Sequence, residues 1–178
     1  QVEGIEQNAI MIDSLSKRFS MCGARIGWVV SKNKEVMKSI LKFAQARLSP
    51  PTYSQIGAER AFDVPDTYFE EVLKEYTQRR NVLIEELQKV KGVRVSMPKG
   101  AFYCIAELPV ENAEDFSIWL LDHFSVNNET VMLAPAEGFY ATKGLGRNQV
   151  RIAYVLEKEK IVKAIHILAE ALKEYNNS

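Results

Sequence analysis

Between residues 66 and 90 the apolar side chains Phe69, Val72, Leu73, Tyr76, Leu83, Ile84, Leu87 and Val90 recur at helical spacing. That run calls for one helix on the order of 37 Å long at 1.5 Å per residue, enough to bridge two domains. Asp66 is placed to cap its start and Gly92 to stop its end. The chain is therefore read as two pieces on either side of a connector. Before it, residues 9–13 and 25–31 are short strand candidates with apolar residues on consecutive positions. That is the pattern of strands covered on both faces of an α/β sheet. Residues 32–47 place Val36, Met37, Ile40, Leu41 and Ala44 on one helical stripe, Pro50 and Pro51 break it, and residues 53–62 form another helix. After Gly92 the elements shorten. Residues 93–97, 102–107 and 150–155 read as strands, 131–133 as a shorter one, and 113–124 as a helix. Residues 158–175 carry Ile161, Val162, Ile165, Leu168, Ala169 and Leu172 on one face. The boundaries that follow are 1–62, 63–92 and 93–178.

Charge narrows the function. Lys plus Arg and Asp plus Glu balance at 23 each, so the net charge is zero and neither nucleic acid nor an anionic membrane is favoured as a partner. No apolar run approaches the roughly 20 residues of a membrane helix, and no signal peptide opens the chain. Cys22 and Cys104 have neither a disulfide framework nor ligand spacing, which fits a reducing cytoplasm. His123 and His166 have no ligand company in sequence, so no metal site is expected. Gln1 is not an initiator methionine, and the natural start is expected upstream.

The chemistry concentrates in residues 14–27, Ser-Leu-Ser-Lys-Arg-Phe-Ser-Met-Cys-Gly-Ala-Arg-Ile-Gly. Lys17 has a Ser three before it, a small residue just before it, a Gly six after, an Arg eight after, and a closing apolar–Gly pair. This pattern resembles the cofactor-lysine signature of the class I/II aminotransferases, which use pyridoxal 5'-phosphate (PLP). Each residue type suits that chemistry. A primary amine is the one ordinary side-chain group that condenses with the cofactor aldehyde, and it must be neutral to attack, which the positive charge of Arg25 favours. The planar fork of Arg25 also matches a phosphate, to which Ser14 and Ser16 offer hydroxyls. Gly23 and Gly27 permit close backbone approach or an unusual φ. Once displaced by substrate, Lys17 is suited to carry a proton at the amino-acid Cα. Taken singly, the same residues would be a surface lysine, a salt-bridging arginine and turn glycines.

A second segment, Asn148-Gln149-Val150-Arg151-Ile152-Ala153-Tyr154, resembles the family strand whose arginine binds the substrate α-carboxylate. The resemblance makes Arg151 that group, in bidentate geometry. Lys99-Gly100-Ala101-Phe102-Tyr103 resembles a family strand start near the substrate, and gives Phe102 as a pocket wall or a core aromatic. Residues 133–140 look like a family loop that usually carries a Pro-Gly pair, from which Ala136 departs. Residues 47–55 resemble the segment that reaches the neighbouring subunit in dimeric relatives. Arg79 and Arg80 read as solvated helix surface.

The resemblance covers essentially the whole chain and implies fold type I. It implies an α/β chain whose first part is a remnant of the large PLP-binding parallel-sheet domain, with Lys17 in a loop after a strand. A small C-terminal α+β domain carrying Arg151 follows, so that substrate would sit between the two. It also implies amino-group transfer between an amino acid and a 2-oxo acid in a cytoplasmic homodimer, with greatest likeness to the prokaryotic aspartate aminotransferases. The family's pyridine-nitrogen Asp, its Tyr and Asn near the cofactor and its stacking aromatic lie upstream of the lysine, and no residue here matches them. The chain by itself is therefore expected to be inactive, to bind PLP weakly and to expose apolar strand edges within residues 1–62. The alternatives left open are a lyase, decarboxylase or synthase of the same fold, a PLP-sensing domain of a transcription regulator, and a purely structural module.

Overall fold

The computed structural model describes residues 2–177, which fall into two compact units, one up to Tyr68 and one from Phe69 onward. In the first, β1 (Met11–Ser14) leads directly into a single helical turn, α1 (Leu15–Arg18), then a 3-10 turn (Cys22–Ala24) and β2 (Gly27–Val30). The two strands pair antiparallel from Met11↔Val30 to Ser14↔Gly27, because the short turns between them reverse the chain instead of carrying it over a sheet face. Helices α2 (Lys34–Arg47) and α3 (Thr52–Ala61) follow. The start of α2 shifts inward from residue 32 because Asn33 caps it, its side chain accepting from the Val36 N–H at 3.1 Å. The consecutive apolar residues of this unit stay exposed, among them Ile10, Met11, Ile12, Val30, Leu41 and Phe43.

The predicted long helix is α4 (Asp66–Lys89), and the chain turns out of it where Gly92 takes φ +83°, a left-handed conformation that suits glycine. The second unit is a four-stranded antiparallel sheet in the order β3 (Arg94–Val95), β4 (Tyr103–Glu107), β6 (Gln149–Ala153), β5 (Ala134–Pro135). Against it pack α4, α5 (Ala113–His123) and α6 (Lys158–Tyr175). Asn112 caps α5 through the Glu114 N–H at 3.0 Å. The core joins Leu83, Ile84 and Leu87 of α4 to Phe116 and Leu120 of α5 and to Ile161, Ile165, Leu168 and Leu172 of α6. Each such side chain contributes about 1.5–3 kcal/mol by leaving water.

Two expectations are corrected here. Residues 131–133 are not a strand: β5 is Ala134–Pro135, pairing with Arg151 and Val150, and edge position suits a proline that has no N–H to donate. Arg79 and Arg80 are not freely solvated. Arg79 pairs with Glu75 at 2.7 Å and donates to the Val155 carbonyl at 2.6 Å, while Arg80 donates to the Pro98 carbonyl at 3.3 Å. Among the described residues no helix is long and apolar enough to cross a membrane.

Candidate functional site

Lys17 lies on α1, not in a loop. Leu15 is fully buried and Phe19 nearly so, and as i, i+4 neighbours they anchor one side of the turn. Phe19 meets the Phe62 ring edge-on at 5.6 Å, and the Leu15 N–H donates to the Ile26 carbonyl at 3.1 Å. Lys17, two residues from each anchor, is turned to the exposed side. Asp13 fastens the turn from below: its carboxylate accepts from the Ser14 N–H at 2.7 Å and pairs with Arg18 at 3.0 Å.

The β1–β2 ladder closes residues 14–27 into a loop, so the Ser14–Lys17 end meets the Arg25–Gly27 end. Gly27 is required there, since a Cβ would stand 2.8 Å from the Asp13 carbonyl oxygen and 3.2 Å from the Ser14 Cβ. Ser14 and Ser16 are half-buried. Arg25 is exposed and left-handed at φ +55°, and it donates to the Cys22 carbonyl at 2.8 Å. A bulky residue held there stores about 1–3 kcal/mol of strain. Nothing in the structure explains Gly23. An exposed primary amine, two hydroxyls and a guanidinium at one end of a ladder are a donor set that fits an aldehyde carried beside a phosphate.

In the second unit, strand alternation decides where Arg151 points. Val150 and Ile152 pair with Ala106 and Cys104 on the core face, which puts Arg151, opposite Ile105, on the other face. Its guanidinium carbon lies over the Tyr103 ring, 4.6 Å from the centroid, and over the Phe139 ring at 4.7 Å. Among the described residues no carboxylate pairs with it. Arg151 and Tyr103 line a cavity of about 850 Å³ whose other walls include Met132, Leu133 and Leu156, so the apolar run read as a strand serves as cavity wall. Glu129 and Lys163, also in the lining, form an ion pair.

Phe102 packs against the core and the Tyr76 ring at 6.0 Å, and it is Tyr103 that reaches the cavity. The strand start is set by Ala101 at φ +58°, whose carbonyl accepts from the buried Tyr154 hydroxyl at 2.9 Å. Burial also raises the Tyr154 hydroxyl pKa above the usual range. Tyr103 and Phe139 therefore join Arg151, while Tyr154 stays in the core. Period-two alternation along residues 103–107 puts Tyr103 on the outward face with Ile105, but only the strand register brings it to Arg151; Phe139 left no such signal, because it arrives from a turn. Cys104 is core, its thiol pushed up to about 11 by burial. Among the described residues no three His, Cys, Asp or Glu side chains gather as a metal site.

The sequence matches the family described as aminotransferase class I and II over residues 2–168. An aspartate aminotransferase of Pyrococcus horikoshii is 30% identical over 171 residues, 94% of this chain and 42% of that protein. A (5-formylfuran-3-yl)methyl phosphate transaminase of Methanocaldococcus jannaschii is 32% identical, over 96% of this chain and 43% of that one. Among solved structures, an alpha-aminoadipate aminotransferase of Thermus thermophilus, complexed with N-(5'-phosphopyridoxyl)-L-leucine, superposes with a TM-score of 0.80. It is 27% identical and covers 93% of this chain and 42% of its own. The chain thus spans about two fifths of the length of the relatives it matches.

Proposed function

The chain belongs to the class I and II aminotransferases, and on that premise we propose that its residues serve PLP-dependent transfer of an amino group between an amino acid and a 2-oxo acid. The observation that carries this reading is the closed 14–27 loop, which sets an exposed Lys17 beside Ser14, Ser16 and the Arg25 end of β2. Lys17 would hold the cofactor through its aldehyde carbon, with Ser14, Ser16 and Arg25 on the phosphate. When bound, the cofactor supplies an electron sink for the substrate Cα. Lys17, released from its covalent role, would take the Cα proton as a general base and deliver it as a general acid to the carbon that carried the cofactor's aldehyde. Arg151 grips the α-carboxylate through two parallel N–H bonds and fixes which Cα bond is broken.

Aspartate is the amino donor we favour, supported by the aspartate aminotransferases among the relatives. A homodimer belongs to the same reading, supported by the exposed Phe43, Leu48 and Tyr53 in and around the 47–55 segment, and the free Cys22 and Cys104 fit a cytoplasmic setting. The test is reductive trapping in full-length protein, which carries the remainder of the cofactor site: PLP is added, the protein is reduced with borohydride, and peptides are mapped by mass. The pyridoxyl group is expected on Lys17 ahead of every other lysine, and to be lost with Lys17→Ala. Labelling spread evenly over surface lysines would overturn the assignment. With full-length protein, aspartate alone should convert bound cofactor to its pyridoxamine form; a spectrum that no amino donor moves would favour the lyase or sensor alternatives.

A further inference from the structure

We propose that Phe139 and Tyr103 are positioning residues for Arg151, presenting its guanidinium edge to a carboxylate by occupying its faces. The proposal rests on the reading of Arg151 as the α-carboxylate group. A guanidinium is planar, with donors in its plane and weakly hydrated faces. Two ring centroids lie under 5 Å from the same guanidinium carbon, close enough for the rings to cover its faces and leave the N–H edges for a ligand. No protein carboxylate among the described residues does that positioning instead.

Neither ring owes its place to the core. Phe139 is 55% exposed, an unfavourable position for a phenyl ring unless something else holds it, and Tyr103 stands on the face of β4 opposite Cys104 and Ala106. What holds Phe139 is a chain of fitted contacts. Ala136, fully buried, donates from its N–H to the Gln149 carbonyl at 2.9 Å, tying the 3-10 turn Glu137–Phe139 to the start of β6. The Tyr140 hydroxyl closes on the Gln149 side chain at 2.6 Å. Gly146 makes room for that ring: at φ +74°, its absent Cβ would lie 2.4 Å from the Tyr140 ring. The loop that follows β5 is thus folded back onto β6 two residues before Arg151, and Phe139 rides on it. Tyr103 comes from the neighbouring strand, where its Cα partner is Ala153 and Arg151 is its diagonal neighbour.

The test separates stacking from packing by comparing Phe139→Leu, which keeps apolar bulk, with Phe139→Tyr, which keeps the aromatic face. In the NMR spectrum of the chain, the Arg151 side-chain signals should carry a ring-current shift that Phe139→Leu reduces and Phe139→Tyr restores. Succinate, as carboxylate probe, should bind about three- to fivefold more weakly to Phe139→Leu than to wild type. Phe139→Tyr should match wild type, and Arg151→Ala should abolish binding. In full-length enzyme the Leu variant should raise KM for the amino acid while changing kcat less. Equal ring-current shifts in wild type and Phe139→Leu, or equal succinate affinity while Arg151→Ala abolishes binding, would overturn the positioning role and leave the carboxylate reading intact. Succinate binding that survives Arg151→Ala would overturn that underlying reading, and the proposal with it.

Discussion

Leu15 and Leu87 are both fully buried, yet they anchor different kinds of structure. Leu87 is one of many apolar side chains from three helices and a sheet that close around a common centre. Leu15 has Phe19, Ala58 and Ala61 as the other buried apolar residues of its unit, while Met11, Ile12, Leu41, Phe43 and Tyr53 face outward. The Lys17 site is accordingly local, built from consecutive residues and one short ladder. The Arg151 site depends on long-range packing, because its orientation comes from a sheet and from a loop folded onto that sheet. A local site is readable from a motif; a packed site tolerates less change far from its chemistry.

The contrast should be largest in thiol reactivity. A thiol titrating near 11 is thiolate in only about one molecule in a thousand at pH 8, and Cys104 is also 3% exposed. Iodoacetamide should label exposed Cys22 at least about 100-fold faster than Cys104 in the native chain, read by peptide mass. Comparable rates would mean that β4 opens as readily as the turn before β2, and the comparison would fail.

Next in size is the response to core truncation, for which each unit carries its own tryptophan, Trp28 in the first and Trp119 in the second. With Trp28→Phe as background, Leu87→Ala should cost the second unit about 2–5 kcal/mol in urea unfolding followed at Trp119. With Trp119→Phe as background, Leu41→Ala should change the Trp28 transition by less than about 0.5 kcal/mol, since Leu41 is 57% exposed. A large effect of Leu41→Ala would show that the exposed stripe of α2 is covered in solution.

The smallest effect lies at the sheet edge. Arg94 holds the Glu107 carboxyl below the usual range through a hydrogen bond, helped by Asn148. Between that depressed value and the ordinary glutamate range the unfolded chain binds more protons, so stability rises with pH there. The contribution is fully present above the ordinary glutamate range and is lost as acid titrates Glu107 through its folded value. Glu107→Gln should flatten this part of the pH profile of the Trp119 unfolding midpoint, and Arg94→Ala should do the same. The second unit becoming more stable on acidification through that window would contradict the pairing.

Much of this was legible without coordinates, for physical reasons that particular residues illustrate. Periodicity located α4 and α6 because a helix 24 or 18 residues long repeats its apolar face many times. The 131–133 run was misassigned because three consecutive apolar residues have no period, and lining a cavity and forming a strand make the same demand on composition. Arg79 and Arg80 looked solvated because their acceptors distant in sequence, the carbonyls of Val155 and Pro98, carry no side-chain signature.

By itself, the sequence determined the identity of the chemical groups: an amine at Lys17 with hydroxyls and a guanidinium within one turn-rich segment, and a second guanidinium at Arg151. Those are covalent facts and survive any fold. Only the tertiary structure decided their surroundings. It put Lys17 on a helical turn because Leu15 and Phe19 needed cover, and closed the motif at Gly27 because the Asp13 carbonyl leaves no room for a Cβ. It brought Phe139 to Arg151 because a buried Ala136 and a fitted Tyr140 fold one loop back on its strand. Distances between residues far apart in sequence are set by packing, and packing is a property of the whole unit.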